Sequence, residues 1–532
     1  MDYAGCMRKF LCVPCPARGL SCHNSVSGYW FPTVEVLLWE VTVRLTASDF
    51  MTYWRPSPCE LRVFLHEKGE PEAEPGAFDE VMRRLGIRHE KEHLATLGPY
   101  LDLSNVLIGE RVGRTQEAIA NKVPVIYQPA FSVRHMIAGT DVQIVGAPDF
   151  LILEGDGYVI RDCKMSRHIE AEIHPEIIVQ IQLYGWLFER STGVPAKELQ
   201  VYNGMKEVVG VEDDGGERAL AVFENLLRLK QLDGEPYEPV GWSKCGGCGF
   251  NARCMNKAET DHSVALVPDV DQNLARTLRG IGVSTRKELL SKFDFVSLSE
   301  LKRPHGQSER RVGKTAERII HFAQAMETQE EKILSAPAIP VSPNYVMFDL
   351  EGMPPHLDEI EKIYLWGMQV YGEKPSEFMP AVAGFGPDGD RDCWFAFLEN
   401  AKKVFETHGD ISFVHWASYE KTKLNLYIDR YGDIDGVADR VKTNLLDLLT
   451  VARNSIILPV PSFSLKIIEQ YIGFKRSQTE FGGQWAMATF IEATETDDES
   501  KRKQLMGEIL KYNEEDLAAT WAVFEWLRAK AH

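Results

Sequence analysis

The segment at residues 335–343, SAPAIPVSP, is the feature that most limits how this chain can fold. It holds three prolines and no charged residue. Proline fixes φ and lacks a backbone N–H, so neither a helix interior nor a central strand runs through such a segment. The chain has 532 residues, more than one hydrophobic core usually serves. The sequence therefore predicts several domains, two of them separated by a linker at 335–343.

Residues 46–262 alternate between strand-like and helical patterns. The segment GAPDFLILEGDGYVIRDCKM at 146–165 is typical of two apolar strands joined by a turn at 154–157, and the helical pattern that follows ends at Gly193. Residues 1–45 show no clear period and are predicted to form a poorly ordered extension. Four cysteines of this extension could hold zinc, but their spacing matches no established zinc motif: Cys6, Cys12, Cys15 and Cys22.

Two more regions follow. Residues 263–334 contain two helical segments, LARTLRGIGVSTRKELLSK and RRVGKTAERIIHFAQAM, each with a glycine-containing turn. Residues 344–532 begin with strand patterns and end in a long helix expected from about residue 508. The predicted fold class is therefore multidomain α/β.

The composition limits the binding partners and the location. Lys and Arg number 59 against 78 Asp and Glu, a net charge of −19. This charge attracts a polyanion poorly, so nucleic-acid binding would need local basic patches or bound cations. No apolar run is long enough to cross a membrane, and the start of the chain is not typical of a signal peptide. The predicted location is cytoplasmic, where clustered cysteines bind metal more often than they pair.

Asp162 and Lys164 project from the same side of the second strand, because side chains alternate between the faces of a strand; Cys163 points the other way. The pair is either a surface ion pair or part of a site. Together with Asp149, it supplies the carboxylates that a hard divalent cation prefers and a lysine that can orient or deprotonate water. Phosphodiester hydrolysis needs these groups.

The order of Pro148-Asp149, a hairpin and then DCK resembles the PD-(D/E)xK nuclease signature. GIRHE at 86–90 and QIQLY at 180–184 resemble the upstream histidine motif and the QxxxY motif of its RecB-like branch. The resemblance implies a restriction-endonuclease-like core that uses Mg²⁺ or Mn²⁺. By the same resemblance, the metal ligands are His89, Asp149 and Asp162, the water-activating residue is Lys164, and Gln180 and Tyr184 line the site and contact DNA.

Two neighbours of His89 complete this prediction. Glu90 is expected to assist at the site. His93 lies one helical turn beyond His89 on the same face and is its rival as a ligand.

A second motif, WSKCGGCGFNARC, places Cys245, Cys248 and Cys254 as CxxCx5C. A four-thiolate site needs one more ligand, and Cys59 in RPSPCELR is the obvious donor. One early and three late cysteines around the nuclease motifs resemble the pattern in iron–sulfur nucleases, which include the CRISPR-adaptation nuclease and AddB-type helicase–nuclease subunits. The resemblance implies a 4Fe-4S cluster that ties the two ends of the domain together. Zinc is the alternative, because four thiolates bind it equally well.

The region at 263–334 resembles helix-hairpin-helix modules, whose glycine turns present backbone N–H groups to a DNA phosphate. The resemblance implies a DNA-binding connector, with Arg310, Arg311 and Lys314 as candidate contact residues. The alternative is a helical spacer with a solvated basic face.

A second set of carboxylates lies beyond the linker. In FDLEG, Asp349 and Glu351 share one side of a strand, and in YNEED, which is expected to open the last helix, Tyr512 and Asp516 lie one turn apart. Carboxylates that converge from a strand and a distant helix suit a two-metal phosphodiesterase site.

These motifs resemble the DEDD exonucleases of the RNase H-like fold, in the subclass with a YxxxD final motif. The resemblance implies that Asp349, Glu351 and Asp516 bind metal and that Tyr512 positions water. The middle motif departs from the family, because HWASYEKTKL offers His415 and Glu420 instead of an asparagine and an aspartate. Glu420 is the predicted ligand there, with Asp447 as the substitute. The domain is thus an active exonuclease, a nucleic-acid-binding domain or a structural one.

Taken together, the motifs predict a metal-dependent DNA nuclease that acts on single-stranded ends or flaps in repair or defence. Its predicted order is a nuclease domain at 46–262, a connector at 263–334, the linker and an RNase H-like mixed-sheet domain at 344–532. The alternative is a nucleic-acid-binding adaptor with vestigial sites that acts with a helicase.

Overall fold

A computed structural model of the chain describes residues 43–353, 361–384, 386–478 and 482–530. The predictions for residues 1–42, including their four cysteines, lie outside this part of the chain. None of the helices in these ranges is both long and apolar enough to cross a membrane.

The N-terminal region contains two sheets. Its strands are β1 (Val43–Thr46), β2 (Leu101–Asp102), β3 (Val125–Tyr127), β4 (Phe131–Ile137), β5 (Thr140–Gly146), β6 (Phe150–Glu154), β7 (Gly157–Cys163), β8 (Glu198–Tyr202) and β9 (Val208–Val211). One sheet has the order β2-β3-β6-β7-β8-β9 and the other β1-β5-β4. The predicted hairpin is confirmed, since β6 and β7 pair antiparallel from Phe150 opposite Arg161 to Glu154 opposite Gly157.

Helices cover these sheets. They are α1 (Ala47–Trp54), α2 (Glu60–Glu67), α3 (Ala77–Thr96), α4 (Ile108–Ala120), α5 (Pro175–Thr192), α6 (Glu217–Lys230), α7 (Trp242–Cys245) and α8 (Asn251–Thr260). Helix α5 begins with proline and ends at Gly193, whose φ of +78° is the left-handed conformation common after helices. The predicted helix end at Gly193 is therefore confirmed. Helix α5 is apolar on most faces because it packs against β4, β5, β7 and β8.

The connector combines helices with a β-hairpin. Its elements are a 3₁₀ turn (Val264–Leu266), α9 (Gln272–Gly280), α10 (Arg286–Lys292), α11 (Phe295–Glu300), β10 (Lys302–His305), β11 (Ser308–Arg311), α12 (Thr315–Thr328) and β12 (Lys332–Ile333). The prediction of a wholly helical connector is wrong in one place. Arg310 and Arg311 pair with β10 instead of opening a helix, because Gly306, at φ +59°, turns the chain back on itself.

The C-terminal region contains a mixed sheet. Its strands are β13 (Asn344–Met353), β14 (Lys362–Gly372), β15 (Met379–Val382), β16 (Phe413–His415), β17 (Leu445–Asp447) and β18 (Ile456–Ile457). Five of them form a sheet in the order β15-β14-β13-β16-β17, in which β13 is antiparallel to β14 and parallel to β16. Strand β18 pairs with β12 of the connector.

In the described part of this region, seven helices surround the sheet. They are α13 (Gly386–His408), α14 (Tyr419–Tyr431), α15 (Val437–Thr443), α16 (Leu448–Ser455), α17 (Leu465–Tyr471), α18 (Gly483–Glu495) and α19 (Glu499–Ala529). The last helix begins well before the expected residue 508, so YNEED lies inside it rather than at its start. Its first turn is capped by Asp498, whose side chain accepts from the backbone N–H groups of Ser500 and Lys501.

Shared packing joins the regions. The connector has residues in one continuous apolar cluster with the C-terminal region, for example Ile319 with Phe524. Leu85 of helix α3 is buried in the core cluster of the C-terminal sheet. Arg84 and Arg88 of the same helix form ion pairs with Glu495 of α18 at 2.5 and 2.8 Å. Helix α3 is therefore held by both the N-terminal and the C-terminal regions.

Candidate active sites

The β6–β7 hairpin brings Asp149, Asp162 and Lys164 together. Asp149, just before β6, accepts the backbone N–H of Cys163 on Oδ2 at 2.7 Å. Its own backbone N–H donates to Asp162 Oδ1 at 3.3 Å. Lys164 Nζ lies 2.6 Å from Asp162 Oδ2, and the Asp162 side chain is only 5% exposed. The pair in the DCK segment is thus part of a buried cluster and not a surface ion pair.

Glu90, on α3, is the third carboxylate of this cluster. Gln128 Nε2 donates to Glu90 Oε1 at 2.6 Å and to Asp149 Oδ1 at 2.9 Å. The backbone of Gln128, at φ +54°, also donates to the carbonyl of Asp149 at 2.7 Å. The sequence does not single out Gln128, because one glutamine between two strands matches none of the motifs. Its left-handed backbone is uncommon for a residue other than glycine, and both its backbone N–H and its side chain donate to Asp149.

Crowded negative charge shifts the pKa values in this cluster. Burial, followed by the charges of Asp162 and Glu90, raises the pKa of Asp149 well above its ordinary value. Burial lowers the pKa of Lys164, but the charges of Asp162 and Asp149 outweigh it and leave that pKa raised. Carboxylates that repel one another in this way are suited to holding a cation.

The two histidines of α3 lie against Tyr202. His89 Nε2 is 3.4 Å from the carbonyl oxygen of Tyr202. The His93 ring stacks on the Tyr202 ring at 3.7 Å, and His93 Nε2 lies 3.1 Å from Arg161 Nη1. In the described ranges, no three ligand atoms within 4.8 Å of one another include either histidine. The roles of His89 and of its rival His93 as metal ligands stay predictions.

Gln180 and Tyr184 meet one turn apart on α5. Gln180 Nε2 donates to the Tyr184 hydroxyl at 2.7 Å. Burial, followed by the charge of Asp162, raises the pKa of Tyr184. A Cβ atom at Gly146 would lie 2.9 Å from the Tyr184 ring, so this glycine makes room for the ring. Gln180 Oε1 is buried and accepts no hydrogen bond from any described residue. It is an acceptor available to a ligand of the site.

Four cysteines from both ends of the N-terminal region approach one another. All are half-buried free thiols in the described part of the chain: Cys59, Cys245, Cys248 and Cys254. Burial raises the pKa of Cys59 to about 11, and the neighbouring Cys248 contributes to this shift. No three of the four sulfurs lie within 4.8 Å of one another. A tetrahedral zinc ion, with Zn–S bonds of about 2.3 Å, would need all four within about 4 Å.

A second carboxylate site lies between β13 and α19. Asp349, Glu351 and Asp516 each offer an oxygen within 4.8 Å of the other two, and they are the one such group in the described residues. Burial raises the pKa of all three carboxyls, and the charge of Asp516 raises the pKa of Asp349 and of Glu351 further. The structure therefore brings three of the four predicted exonuclease ligands together.

Asn513 holds Asp349 in position. Its Nδ2 donates to Asp349 Oδ2 at 2.7 Å. Gly367, opposite Asp349 in β14, makes this possible, since a Cβ atom there would lie 1.7 Å from Asn513 Oδ1. The sequence does not single out Asn513, because the YxxxD motif leaves the intervening residues open.

Glu420, the predicted fourth ligand, pairs with a histidine. Its Oε2 lies 3.1 Å from His415 Nδ1, with both residues buried. The charge of Glu420 contributes to the raised pKa of Asp349, so it lies near the site. Asp447, the substitute ligand, caps α16 and accepts from Thr450 Oγ1 at 2.7 Å. The metal-binding roles of Glu420 and Asp447 stay predictions.

Tyr512 lies beside the carboxylates and is 4% exposed. Burial, followed by the charges of Glu351, Asp516 and Asp349, raises the pKa of its hydroxyl. The hydroxyl therefore stays protonated at neutral pH and can donate a hydrogen bond, as the positioning of water requires.

The basic residues of the connector are exposed. Arg311 Nη1 lies 2.6 Å from Glu300 Oε2, so part of its charge is offset. Arg310, which is opposite Arg303 in the hairpin, and Lys314, at the start of α12, also lie on the surface. Their contact with DNA stays a prediction.

Comparison with known proteins identifies both domains. Residues 61–255 match the PD-(D/E)XK nuclease superfamily, and residues 346–528 match the RNase_H superfamily. The predicted mixed α/β multidomain fold is thereby confirmed. The two domains support a hydrolytic nuclease that binds nucleic acid, and a nuclease fold of this kind implies a divalent metal.

The chain is also similar to solved structures. The crystal structure of the protein SSO0001 is 15% identical over 40% of this chain and 86% of its own, with a TM-score of 0.23. A crystal structure from Eubacterium rectale, provisionally named an exonuclease, is 15% identical over 40% of this chain and 89% of its own, with a TM-score of 0.24. None of the curated proteins compared matches this sequence.

Proposed function

We propose that the protein is a metal-dependent deoxyribonuclease that hydrolyses phosphodiester bonds in its N-terminal domain. The observation that carries this proposal is the convergence of Asp149, Asp162 and Lys164 at the β6–β7 hairpin. From the motifs, the substrate is DNA with single-stranded ends or flaps, the process is repair or defence, and a helicase is the candidate partner. The protein acts in the cytoplasm.

Each residue of the N-terminal site has a role that follows from its position. Asp149 and Asp162 hold Mg²⁺ or Mn²⁺, which polarises the scissile phosphate when bound. Glu90, tied to Asp149 through Gln128, adds negative charge at the same place. Lys164 Nζ orients the attacking water beside Asp162. Gln180 and Tyr184 contact the DNA next to the scissile bond.

We assign the four cysteines to a 4Fe-4S cluster with a structural role. In such a cluster each thiolate binds a different iron, so the sulfurs stand farther apart than around one zinc ion. The assignment rests on the order of Cys59, Cys245, Cys248 and Cys254 around the nuclease motifs and on thiols near enough to act on one another electrostatically. The cluster would join the start of α2 to the segment at 245–254, which holds the two ends of the domain together.

The C-terminal domain is proposed to be an exonuclease of the DEDD type. Asp349, Glu351 and Asp516 hold the cation, Glu420 supports them, and Tyr512 positions the water. The basic residues Arg310, Arg311 and Lys314 of the connector would bind the DNA backbone between the two sites.

The test is cleavage of end-labelled single-stranded, flapped and blunt DNA by the purified full chain with Mg²⁺ or Mn²⁺. We expect products that disappear only when Asp162→Asn and Asp349→Asn are combined. Cleavage of RNA but not DNA would contradict the substrate assignment. Binding without cleavage under either metal would favour the adaptor with vestigial sites.

A further inference from the structure

Arg55 and Glu176 form an ion pair at the start of helix α5. Arg55 Nε donates to Glu176 Oε1 at 2.9 Å, and Arg55 Nη2 donates to the same oxygen. The Glu176 side chain is only 2% exposed, whereas that of Arg55 is 44% exposed. Burying an ion pair usually adds no more stability than packing apolar side chains in its place. The pair therefore indicates a role for the guanidinium group that Glu176 holds at the surface.

His174, the residue before α5, joins this pair. Arg55 Nη2 lies 2.8 Å from His174 Nδ1. Because arginine can only donate, Nδ1 accepts this hydrogen bond, and the proton of the neutral ring is on Nε2. Among the residues that the structure describes, neither Arg55 Nη1 nor His174 Nε2 has a hydrogen-bond partner. Two neighbouring side chains thus keep N–H groups that a ligand can accept from.

The pair lies on the same face of α5 as two residues of the N-terminal site. Glu176, Gln180 and Tyr184 follow one another at intervals of four residues. Gln180 donates to the Tyr184 hydroxyl at 2.7 Å, and the charge of Asp162 acts on that hydroxyl. With a rise of 1.5 Å per residue, Glu176 lies about 12 Å from Tyr184 along the helix axis. This face of α5 therefore leads from the acidic site to Arg55 at the surface.

A DNA strand that enters this site needs a fixed positive charge beside it. The carboxylates of Asp149, Asp162 and Glu90 repel a phosphate backbone, and the whole chain has a net charge of −19. Arginine suits phosphate because its planar guanidinium donates several N–H groups in fixed directions. Glu176 and His174 occupy Nε and Nη2 of Arg55, which leaves Nη1 for a phosphate oxygen.

We propose that Arg55 binds a backbone phosphate of the DNA strand outside the scissile bond, with His174 Nε2 as a second donor to that phosphate. This inference rests on the proposed function of the N-terminal domain as a deoxyribonuclease. Arg55 contacts the substrate in this scheme. Glu176 is a positioning residue, because it acts on the DNA through Arg55.

The first test measures the binding of labelled single-stranded DNA in Mg²⁺ at increasing KCl, using the chain with Asp162→Asn and Asp349→Asn to prevent cleavage. Loss of one phosphate contact in Arg55→Gln should weaken binding about tenfold. It should also lower the slope of log affinity against log salt by about 0.7. Arg55→Lys, which keeps the charge, should keep the slope. Arg114→Gln is the matched control, because Arg114 forms a wholly exposed pair with Glu110 at 2.6 Å. Its affinity and slope should equal those of the parent chain.

The second test separates DNA binding from a structural role of the pair. Glu176→Gln keeps an acceptor for Arg55 and should keep the salt slope. Glu176→Gln combined with Arg55→Gln removes both charges of the pair and should lower the slope as Arg55→Gln does, which covers the case in which Arg55→Gln alone does not fold. An unchanged slope in the folded variants that lack Arg55 would overturn the inference, whatever their melting temperatures. A parent chain that binds no DNA would overturn the proposed function as well.

The third test places the contact at the N-terminal site. In single-turnover cleavage by the Asp349→Asn chain, Arg55→Gln should raise the DNA concentration that gives half the maximal rate about tenfold. The maximal rate should stay within a factor of two of the parent, because Arg55 takes no part in metal binding. A lower maximal rate at an unchanged half-maximal DNA concentration would overturn the inference and leave the proposed function standing.

Discussion

Lys164 Nζ lies 2.6 Å from Asp162 Oδ2, in a site where the lysine side chain is 18% exposed and the aspartate side chain 5% exposed. This contact places the ammonium group of Lys164 where it can orient a water molecule beside the proposed metal ligand Asp162. We expect Lys164→Met, in a chain whose second site is inactivated by Asp349→Asn, to lower the cleavage rate by about 100-fold or more. Single-turnover cleavage of labelled DNA measures this.

Lys197→Met is the matched control, because Lys197 forms an exposed pair with Glu154 at 3.5 Å in the same domain. Its cleavage rate should equal that of the parent chain. A Lys164→Met chain that is folded and within a factor of three of the parent would contradict the assignment.

Glu90 and His89 are adjacent on α3 but occupy different surroundings. Glu90 shares Gln128 with Asp149, whereas His89 contacts Tyr202. We therefore expect Glu90→Gln to raise the Mn²⁺ concentration needed for half-maximal cleavage by about tenfold, with a smaller effect of His89→Gln. A metal titration of both variants measures this difference. A larger effect of His89→Gln would contradict the prediction and support His89 as a metal ligand.

The sequence predicts most of the fold and the identities of the carboxylates, for physical reasons. Alternation along the strands places Asp162 with Lys164 and Asp349 with Glu351, and Gly193 ends α5 where the glycine signal indicates. These features depend on residues that are close together in the chain, so a single sequence is enough to predict them.

Residues that act through the tertiary structure are not predicted. Gln128 joins Glu90 across the N-terminal site, Asn513 reaches Asp349 over Gly367, and Arg476 reaches Asp516 from a loop. Each contact joins elements that are distant in sequence. A single sequence does not distinguish a glutamine, asparagine or arginine in a site from one on the surface. The sequence does not predict the β10–β11 hairpin, because its charged residues have no apolar alternation.

The pKa of Glu351 predicts a pH dependence of stability without metal. Burial and the charge of Asp516 raise this pKa above the ordinary 4.5. The folded protein then binds the proton more tightly than the unfolded chain, so this contribution to stability is lost as the pH rises above about 4.5. Glu351→Gln should make the stability decline less with pH. At neutral pH in EDTA it should raise the free energy of unfolding by roughly 1 kcal/mol.

Chemical denaturation between pH 5 and 8 in EDTA measures this effect. Glu373→Gln, an exposed position after β14, should leave the profile of the parent chain unchanged. A Glu351→Gln chain that is less stable than the parent at pH 7 would contradict the prediction.

The contact between α3 and α18 predicts that the two domains unfold together. Leu85 is 4% exposed in the core cluster of the C-terminal sheet. Leu85→Ala removes buried apolar volume and should lower the free energy of unfolding by about 2–5 kcal/mol. In calorimetry, the N-terminal domain of this variant should unfold in a separate transition. Arg83→Ala, beside it in the exposed pair with Glu80, should cost less than about 1 kcal/mol. A single transition in Leu85→Ala, equal to that of the parent, would show that this contact does not couple the domains.

Cys248 tests the nature of the four-thiolate site. Its partners are Cys59, the residue before α2, Cys245 at the end of α7 and Cys254 in α8, so a group bound by all four closes a long loop. We expect the protein isolated without oxygen to be brown and to contain about four irons per chain. Cys248→Ser should lose colour and iron together.

Cys393→Ser, at a buried thiol in the C-terminal region, is the control and should keep both the colour and the iron. If the parent chain contains one zinc and no iron, the site is a zinc site and the cluster assignment is wrong. Because the bound group ties the two ends of the N-terminal domain together, the loss of either metal group should also lower the melting temperature of this domain.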